Sequence, residues 1–336
     1  MRKFLRYCLF TSLILVSGLA SAPALADAPS FVSGNGITVY RTTWVSNRTM
    51  VVDISTPSIA PQTINGAHQI RITLPATYYN NTGTRFPVLY LLHGGAGGHS
   101  SQWTAGGGDA ENLTRNQPLI TVMPDGGKVG WYTNWVNNSA GVQKWEEFHL
   151  YQLIPWVDAN LRTIARKEGR AIAGLSMGGF GAIHYAQQRP DLFAYAASFS
   201  GALNLGDAGI RSVVTEQAAQ NGMPIDGPFG WPTWPLDGVW NANNPINRAD
   251  RLRTVKVALY AGSGIHDADV LERTVGWSSH QMHNALDAAR IPHFWLMYGR
   301  PGNTVPYGCD GGHNFSCWNY ALMDVLPRMM GVLWHP

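Results

Sequence analysis

Gly174-Leu175-Ser176-Met177-Gly178 sets a serine between two glycines, the pattern that holds a hydroxyl at the apex of a sharp strand-to-helix turn. The bare pattern is weak in a chain with 37 glycines among 336 residues, so its surroundings must supply the specificity. Arg170-Ala171-Ile172-Ala173 reads as a buried strand entering the turn. Residues 179–186 read as a helix leaving it and stopping before Pro190. Such a nucleophile elbow serves acyl transfer through an acyl-serine intermediate.

A serine hydroxyl is a poor nucleophile near neutral pH and needs a base within hydrogen-bond reach, itself oriented by a carboxylate. In an alternating strand-helix chain the order is serine, acid, histidine. Of the eleven histidines, His313 is the candidate base. It lies in Asp310-Gly311-Gly312-His313-Asn314, after the last strand pattern and before the last helix. His280 and His283 fall within a helical stretch, where packing or exposure accounts for them, and His335 stands at the end of the chain. The position just beyond the strand at 255–260 nominates Asp267 or Asp269 as the acid. The oxyanion of a tetrahedral intermediate needs two backbone N–H donors. Met177, next after the serine, offers one, and Gly95 in His93-Gly94-Gly95-Ala96-Gly97-Gly98-His99 offers the other. That glycine run lacks the Lys-Ser/Thr ending of a phosphate-binding loop.

These residues need a scaffold that brings distant segments to one rim. Residues 38–55 and 69–74 read as an antiparallel start to a sheet. Continuous apolar runs at 88–92, 119–123, 171–175, 193–198, 255–260 and 294–298 read as strands covered on both faces. Helical patterns at 145–161, 178–188, 269–290 and 318–330 alternate with them, which predicts an α/β fold with a mostly parallel central sheet and a ligand crevice at the strands' C-terminal ends. Residues 206–249, rich in Gly, Pro, Trp and Asn, break the rhythm and are expected to form a cap or pocket wall.

The chain opens with Met1-Arg2-Lys3-Phe4-Leu5-Arg6, continues with an apolar stretch and reaches Ala24-Leu25-Ala26, the signature of a signal peptide over 1–26. A catalytic domain over 27–336, exported and carrying no transmembrane anchor once the leader is removed, is the expectation. The leader holds three of the 24 Lys and Arg residues and no acidic residue, so the remainder balances 21 against 21. A neutral chain with only 13% charged residues gives nucleic acid no reason to bind. Its weak charge suits an apolar or carbohydrate substrate, and the serine chemistry a small-molecule or lipid acyl ester. Cys309 and Cys317 are the two cysteines left after the leader; they flank His313 and predict a disulfide that stiffens its loop. No cofactor is expected, and no metal site, since the four well-spaced ligands of a Cys-His site are missing.

The chain resembles the esterase D and antigen 85 family along nearly all of its length beyond the leader. The resemblance is carried by Tyr90-Leu91-Leu92-His93-Gly94, Val122-Met123-Pro124-Asp125-Gly126-Gly127, Gly174-Leu175-Ser176-Met177, residues 240–247, Val270-Leu271-Glu272, and Gly312-His313 with Trp318. It implies the α/β-hydrolase fold and a Leu-Glu step supplying the acid, and so a triad of Ser176, Glu272 and His313, with Asp267 and Asp269 left as helix-start residues. The sequence also departs from the antigen 85 branch. His93-Gly94-Gly95-Ala96 replaces the Asp-Gly-Leu-Arg run whose Asp and Arg help hold trehalose, Phe315 replaces a tryptophan, and Gly178-Gly179-Phe180 replaces small Ala or Ser residues. A secreted carboxylesterase is therefore the leading expectation. An acyltransferase moving a fatty or mycolic acyl group to a sugar, glycerolipid or protein hydroxyl is the alternative, and with it the resemblance implies an alcohol acceptor and association with the cell envelope. A non-catalytic surface-binding protein is a third, disfavoured by retention of all three residues.

Overall fold

Strand residues at odd and even positions go to opposite sides of one sheet, and both sides are dry. Val88, Tyr90 and Leu92 join one buried cluster, whereas Leu89 and Leu91 join the other. That double burial is why the apolar runs are continuous and not alternating. The computed structural model describes residues 29–61, 67–264, 269–299 and 308–335; the expected leader, His266 and Asp267 lie outside the described residues.

Among the described residues nine strands form the sheet: β1 (Thr38–Trp44), β2 (Thr49–Ser55), β3 (His68–Thr73), β4 (Val88–Leu92), β5 (Ile120–Pro124), β6 (Arg170–Leu175), β7 (Tyr195–Phe199), β8 (Lys256–Gly262) and β9 (His293–Tyr298). Their spatial order is β1-β2-β3-β5-β4-β6-β7-β8-β9. The first three strands and the β3–β5 contact are antiparallel, and every pairing from β5 to β9 is parallel. The chain leaves β4 toward β5 on one side and returns to β6 on the other. The carboxyl ends of β4 and β6 thus flank the point where the winding reverses, the crevice expected to receive a ligand.

The helices are α1 (Ala110–Leu113), α2 (Ile154–Asn160), α3 (Met177–Gln188), α4 (Ala208–Gln220), α5 (Gly238–Asn243), α6 (Val270–Ala288) and α7 (Phe315–Met330). Met177, Phe180 and Ile183 of α3 pack with Val275 and Met282 of α6 on one face, and Leu322, Val325 and Met329 of α7 cover the other. The helix expected over 145–161 is a wider π segment, Glu147–Leu153, running into α2. Pro155, which has no N–H to give the carbonyl four residues back, sits at that junction. The segment 206–249 is more regular than its composition suggests. It contains α4, capped by Asp207 and presenting Ile210, Val214 and Ala218 as a narrow buried stripe, and α5 with the buried Trp240. No helix of the described residues is long and apolar enough to cross a membrane.

The antiparallel and parallel halves of the sheet are joined by a buried polar contact. His68, opening β3, places Nδ1 3.2 Å from Asp125 Oδ2 just past β5, and its Nε2 faces the Ala60 carbonyl at 3.0 Å. Burial would raise the Asp125 carboxyl, but hydrogen bonding from His68 prevails and holds it well below the usual carboxylate range. His149, which takes the Tyr185 hydroxyl on Nδ1 and gives Nε2–H to the Asp125 carbonyl, is pushed down to about 3 by burial and stays neutral. Asp125→Asn is expected to lower unfolding stability by about 3 kcal/mol, read by urea denaturation at neutral pH, because it breaks a buried charged contact. A depressed folded-state pKa means that this contribution is intact above the unfolded value of about 4 and is lost as the pH falls below it. The gap between wild type and variant should therefore shrink on acidification; a gap that widens would contradict the assignment.

Candidate active site

The site begins with the turn at Ser176. Its backbone adopts φ 53° and ψ −119°, in the positive-φ region that non-glycine residues seldom occupy. The Ser176 amide is tied to the Phe199 carbonyl at the end of β7 by a 2.8 Å bond. Gly178 is required by close approach, since a Cβ there would sit 2.6 Å from the Leu92 carbonyl oxygen and 2.5 Å from that of His93. The turn can be this tight only without a side chain at 178, and the tightness lifts the hydroxyl clear of the sheet edge.

Against this turn lies the loop that follows β4. A Cβ on Gly94 would come within 3.4 Å of Ser176 Cβ, which places the preceding neighbour of Gly95 beside the serine. His93 pins the loop: its Nδ1 is 2.6 Å from the Gly94 carbonyl, its Nε2 receives the Gly126 amide at 2.7 Å, and its own carbonyl accepts the Tyr132 hydroxyl at 2.9 Å. Gly94 N–H is taken by Gln102 Oε1 and Ala96 N–H by the Lys128 carbonyl, so the amides on either side of Gly95 are engaged elsewhere. Met177 is the first residue of α3, where N–H groups have no partner within the helix and the helix dipole favours negative charge. Gln217 of α4 reaches over the loop, its Oε1 2.8 Å from where a Cβ on Gly95 would stand, so the 206–249 segment walls this side of the site.

The histidine arrives from the other end of the sheet. His313 precedes α7, whose cap residue Asn314 accepts the Cys317 amide, and the Cys309 and Cys317 sulfurs that flank it are bonded, with Cα atoms 4.4 Å apart. His313 Nε2 lies 3.0 Å from Ser176 Oγ and Nδ1 lies 2.6 Å from Glu272 Oε2. The Trp318 ring stands edge-on to the imidazole at a centroid distance of 4.8 Å. Phe315 fills its place by packing edge-on against Trp103 and Trp318.

Glu272, in the first turn of α6, is fully buried (0% exposed), while His313 is 12% exposed. Its Oε1 accepts the Ser200 hydroxyl at 2.8 Å and the Gly262 amide, and Ser200 Oγ in turn accepts Trp318 Nε1–H at 3.1 Å. Gly262 is another position where a side chain cannot fit: a Cβ would lie 2.0 Å from the Gly311 carbonyl oxygen and 2.8 Å from Glu272 Cγ. Asp269, the cap of α6, uses its two oxygens on two backbone amides, that of Glu272 at 2.9 Å and that of His313 at 2.8 Å.

Ser176, His313 and Glu272 are thus brought together, and Asp269 is turned away from the imidazole onto the backbone. Two residues that hold this geometry, His93 and Ser200, were given no part in it by the sequence, nor was the second contact of Asp269. His93 had a visible signal, a histidine directly before a glycine run. Ser200 had none, because its role depends on β7 lying between β6 and β8.

The family model described as Esterase matches residues 61–329. An esterase of Mycobacterium tuberculosis is 39% identical over 255 residues, covering 73% of this chain and 52% of that protein. The chain thus spans about half the length of the curated relatives it matches first. The diacylglycerol acyltransferase/mycolyltransferase Ag85C of Mycobacterium avium is 29% identical over 234 residues, covering 64% of this chain and 62% of that one. Among solved structures, MPT51 of Mycobacterium tuberculosis superimposes with a TM-score of 0.62 at 21% identity, covering 82% of this chain and 97% of the other. The chain, built on the α/β-hydrolase fold, belongs to the Esterase family.

Proposed function

We propose that the protein is a serine carboxylesterase acting through an acyl-serine intermediate. The observation that carries this reading is the unbroken contact series Ser176 Oγ, His313 Nε2, His313 Nδ1, Glu272 Oε2, at 3.0 Å and 2.6 Å. In this mechanism the Ser176 oxygen attacks the ester carbonyl as its proton passes to His313 Nε2. Glu272 accepts Nδ1–H throughout, which fixes the tautomer and favours the imidazolium that forms. The amides of Gly95 and Met177 receive the oxyanion. The C–O bond to the alcohol then breaks as His313 returns the proton to the leaving oxygen. Water, activated by the same imidazole, attacks the acyl-serine and releases the acid. The residues themselves supply nucleophile, base and oxyanion donors, so the cycle calls for no cofactor.

Transfer of the acyl group to an alcohol in place of water is the second reading, favoured by the likeness to the Ag85C mycolyltransferase. The absence of an Asp and Arg pair in His93-Gly94-Gly95-Ala96 favours water. Export behind a leader at 1–26, and with it formation of the Cys309–Cys317 bond in an oxidising compartment, belongs to the same proposal.

Ser176→Ala is expected to cut kcat/KM on acyl esters by roughly 10⁴-fold or more, with the melting temperature little changed. Near-normal ester cleavage by that variant would remove the mechanism. Mass analysis of products formed with and without trehalose or diacylglycerol separates the two readings: free acid alone supports the esterase, acylated acceptor the transferase. Replacing both Cys309 and Cys317 by serine should cost about 2.5 kcal/mol of stability, the loop-closure value for so short a loop, and lower kcat with it. Two freely reacting thiols in the native exported protein would contradict the pairing.

A further inference from the structure

Away from Ser176, α6 and β9 bring three ligand-type side chains together. His283 and Asp287 lie one turn apart on α6, and His293 opens β9, the strand at the sheet's edge. One nitrogen or oxygen atom from each lies within 4.8 Å of the others. His283 Nδ1 is 2.7 Å from His293 Nε2, and His283 Nε2 is 3.5 Å from Asp287 Oδ2. His293 Nδ1 faces the Ile291 carbonyl at 2.8 Å, which places its ring hydrogen on Nδ1 and leaves a lone pair on Nε2.

The contacts run in series from the Ile291 carbonyl through both rings to Asp287, and each of the three needs one hydrogen. Two neutral imidazoles carry one apiece. With both rings neutral, one contact is left with electron pairs facing each other, either between the rings or between His283 Nε2 and the carboxylate, a deficit that a third hydrogen or a metal ion relieves. A divalent cation removes the deficit, because it accepts from all three side chains at once. Imidazole nitrogen and carboxylate oxygen together suit zinc, whose bond lengths near 2.0–2.2 Å call for only a slight widening of the His283–His293 contact. His293 also has the second contact typical of a metal-bound imidazole, its other N–H directed to a backbone carbonyl. Trp295 stacks on His283 with centroids 5.4 Å apart and an interplanar angle of 13°, which fixes that ring's plane. Asp287 is exposed and both histidines are half-buried, so solvent can reach the remaining coordination position.

We propose that His283, Asp287 and His293 form a zinc site, completed by water, that ties the second half of α6 to the edge strand β9. The site is structural: His283 stands eleven residues beyond Glu272, about 16 Å along the helix axis. The metal would hold from its far end the helix whose first turn carries the buried carboxylate.

The test uses the full exported chain without a polyhistidine tag, freed of metal by chelation and dialysis and titrated with zinc chloride by calorimetry at neutral pH. One zinc per chain and a rise in melting temperature on binding are expected. Asp287→Asn, a change at an exposed carboxylate that leaves the core untouched, should weaken zinc binding at least about tenfold. His293→Gln should weaken it at least as much and abolish the thermal shift. Absence of zinc uptake by the wild type overturns the proposal. So does uptake by Asp287→Asn with unchanged affinity and stoichiometry, which would place the metal on other histidines.

Discussion

The arrangement depends on a carboxylate that has been taken out of water. Burying Glu272 without compensation would cost several kcal/mol, so its oxygens must be met by donors. They are: the Gly262 amide at the end of β8, the Ser200 hydroxyl just past β7, and His313 Nδ1 from the loop before α7. Each donor comes from a different part of the chain. Satisfying one buried charge therefore sets the relative positions of two strands, one helix and one loop. The imidazole is aimed at Ser176 as a by-product of that requirement.

Asp269 does the same for the backbone. By capping α6 with one oxygen and the His313 amide with the other, it locks the helix start to the histidine loop at the peptide level, below the level of side-chain rotamers. On the opposite rim His93 plays an equivalent part for the glycine loop, using both ring nitrogens to hold Gly94 and Gly126. The Gly95 amide thereby lies between fixed neighbours, as the oxyanion donor proposed above would require.

Much of this was legible in the residues. The sheet was, because strands covered on both faces spell themselves out as apolar runs, and β4, β6 and β8 fall within a few residues of where those runs lie. The elbow was legible because Gly178 and Ser176 answer to sterics that sequence records directly. The acid was not legible from spacing alone. Asp267, Asp269 and Glu272 lie within six positions, and only the direction each carboxylate takes at the head of α6 separates those described; the choice of Glu272 rested on a family resemblance. Helix α4 was overlooked among Gly, Pro and Trp, although Asp207 and the Ile210, Val214, Ala218 stripe mark it. Ser200 could not be read at all, since its contacts arise only when parallel strands are laid side by side, and the His283–His293 contact depends on how α6 turns back onto β9.

Ser200 links two things usually considered apart. Its hydroxyl gives its hydrogen to Glu272 and takes one from the Trp318 indole, so the seating of the final helix is wired to the orientation of the imidazole through a single oxygen. A shift in how that helix sits is therefore felt at the imidazole without any change in the strands that carry Ser176.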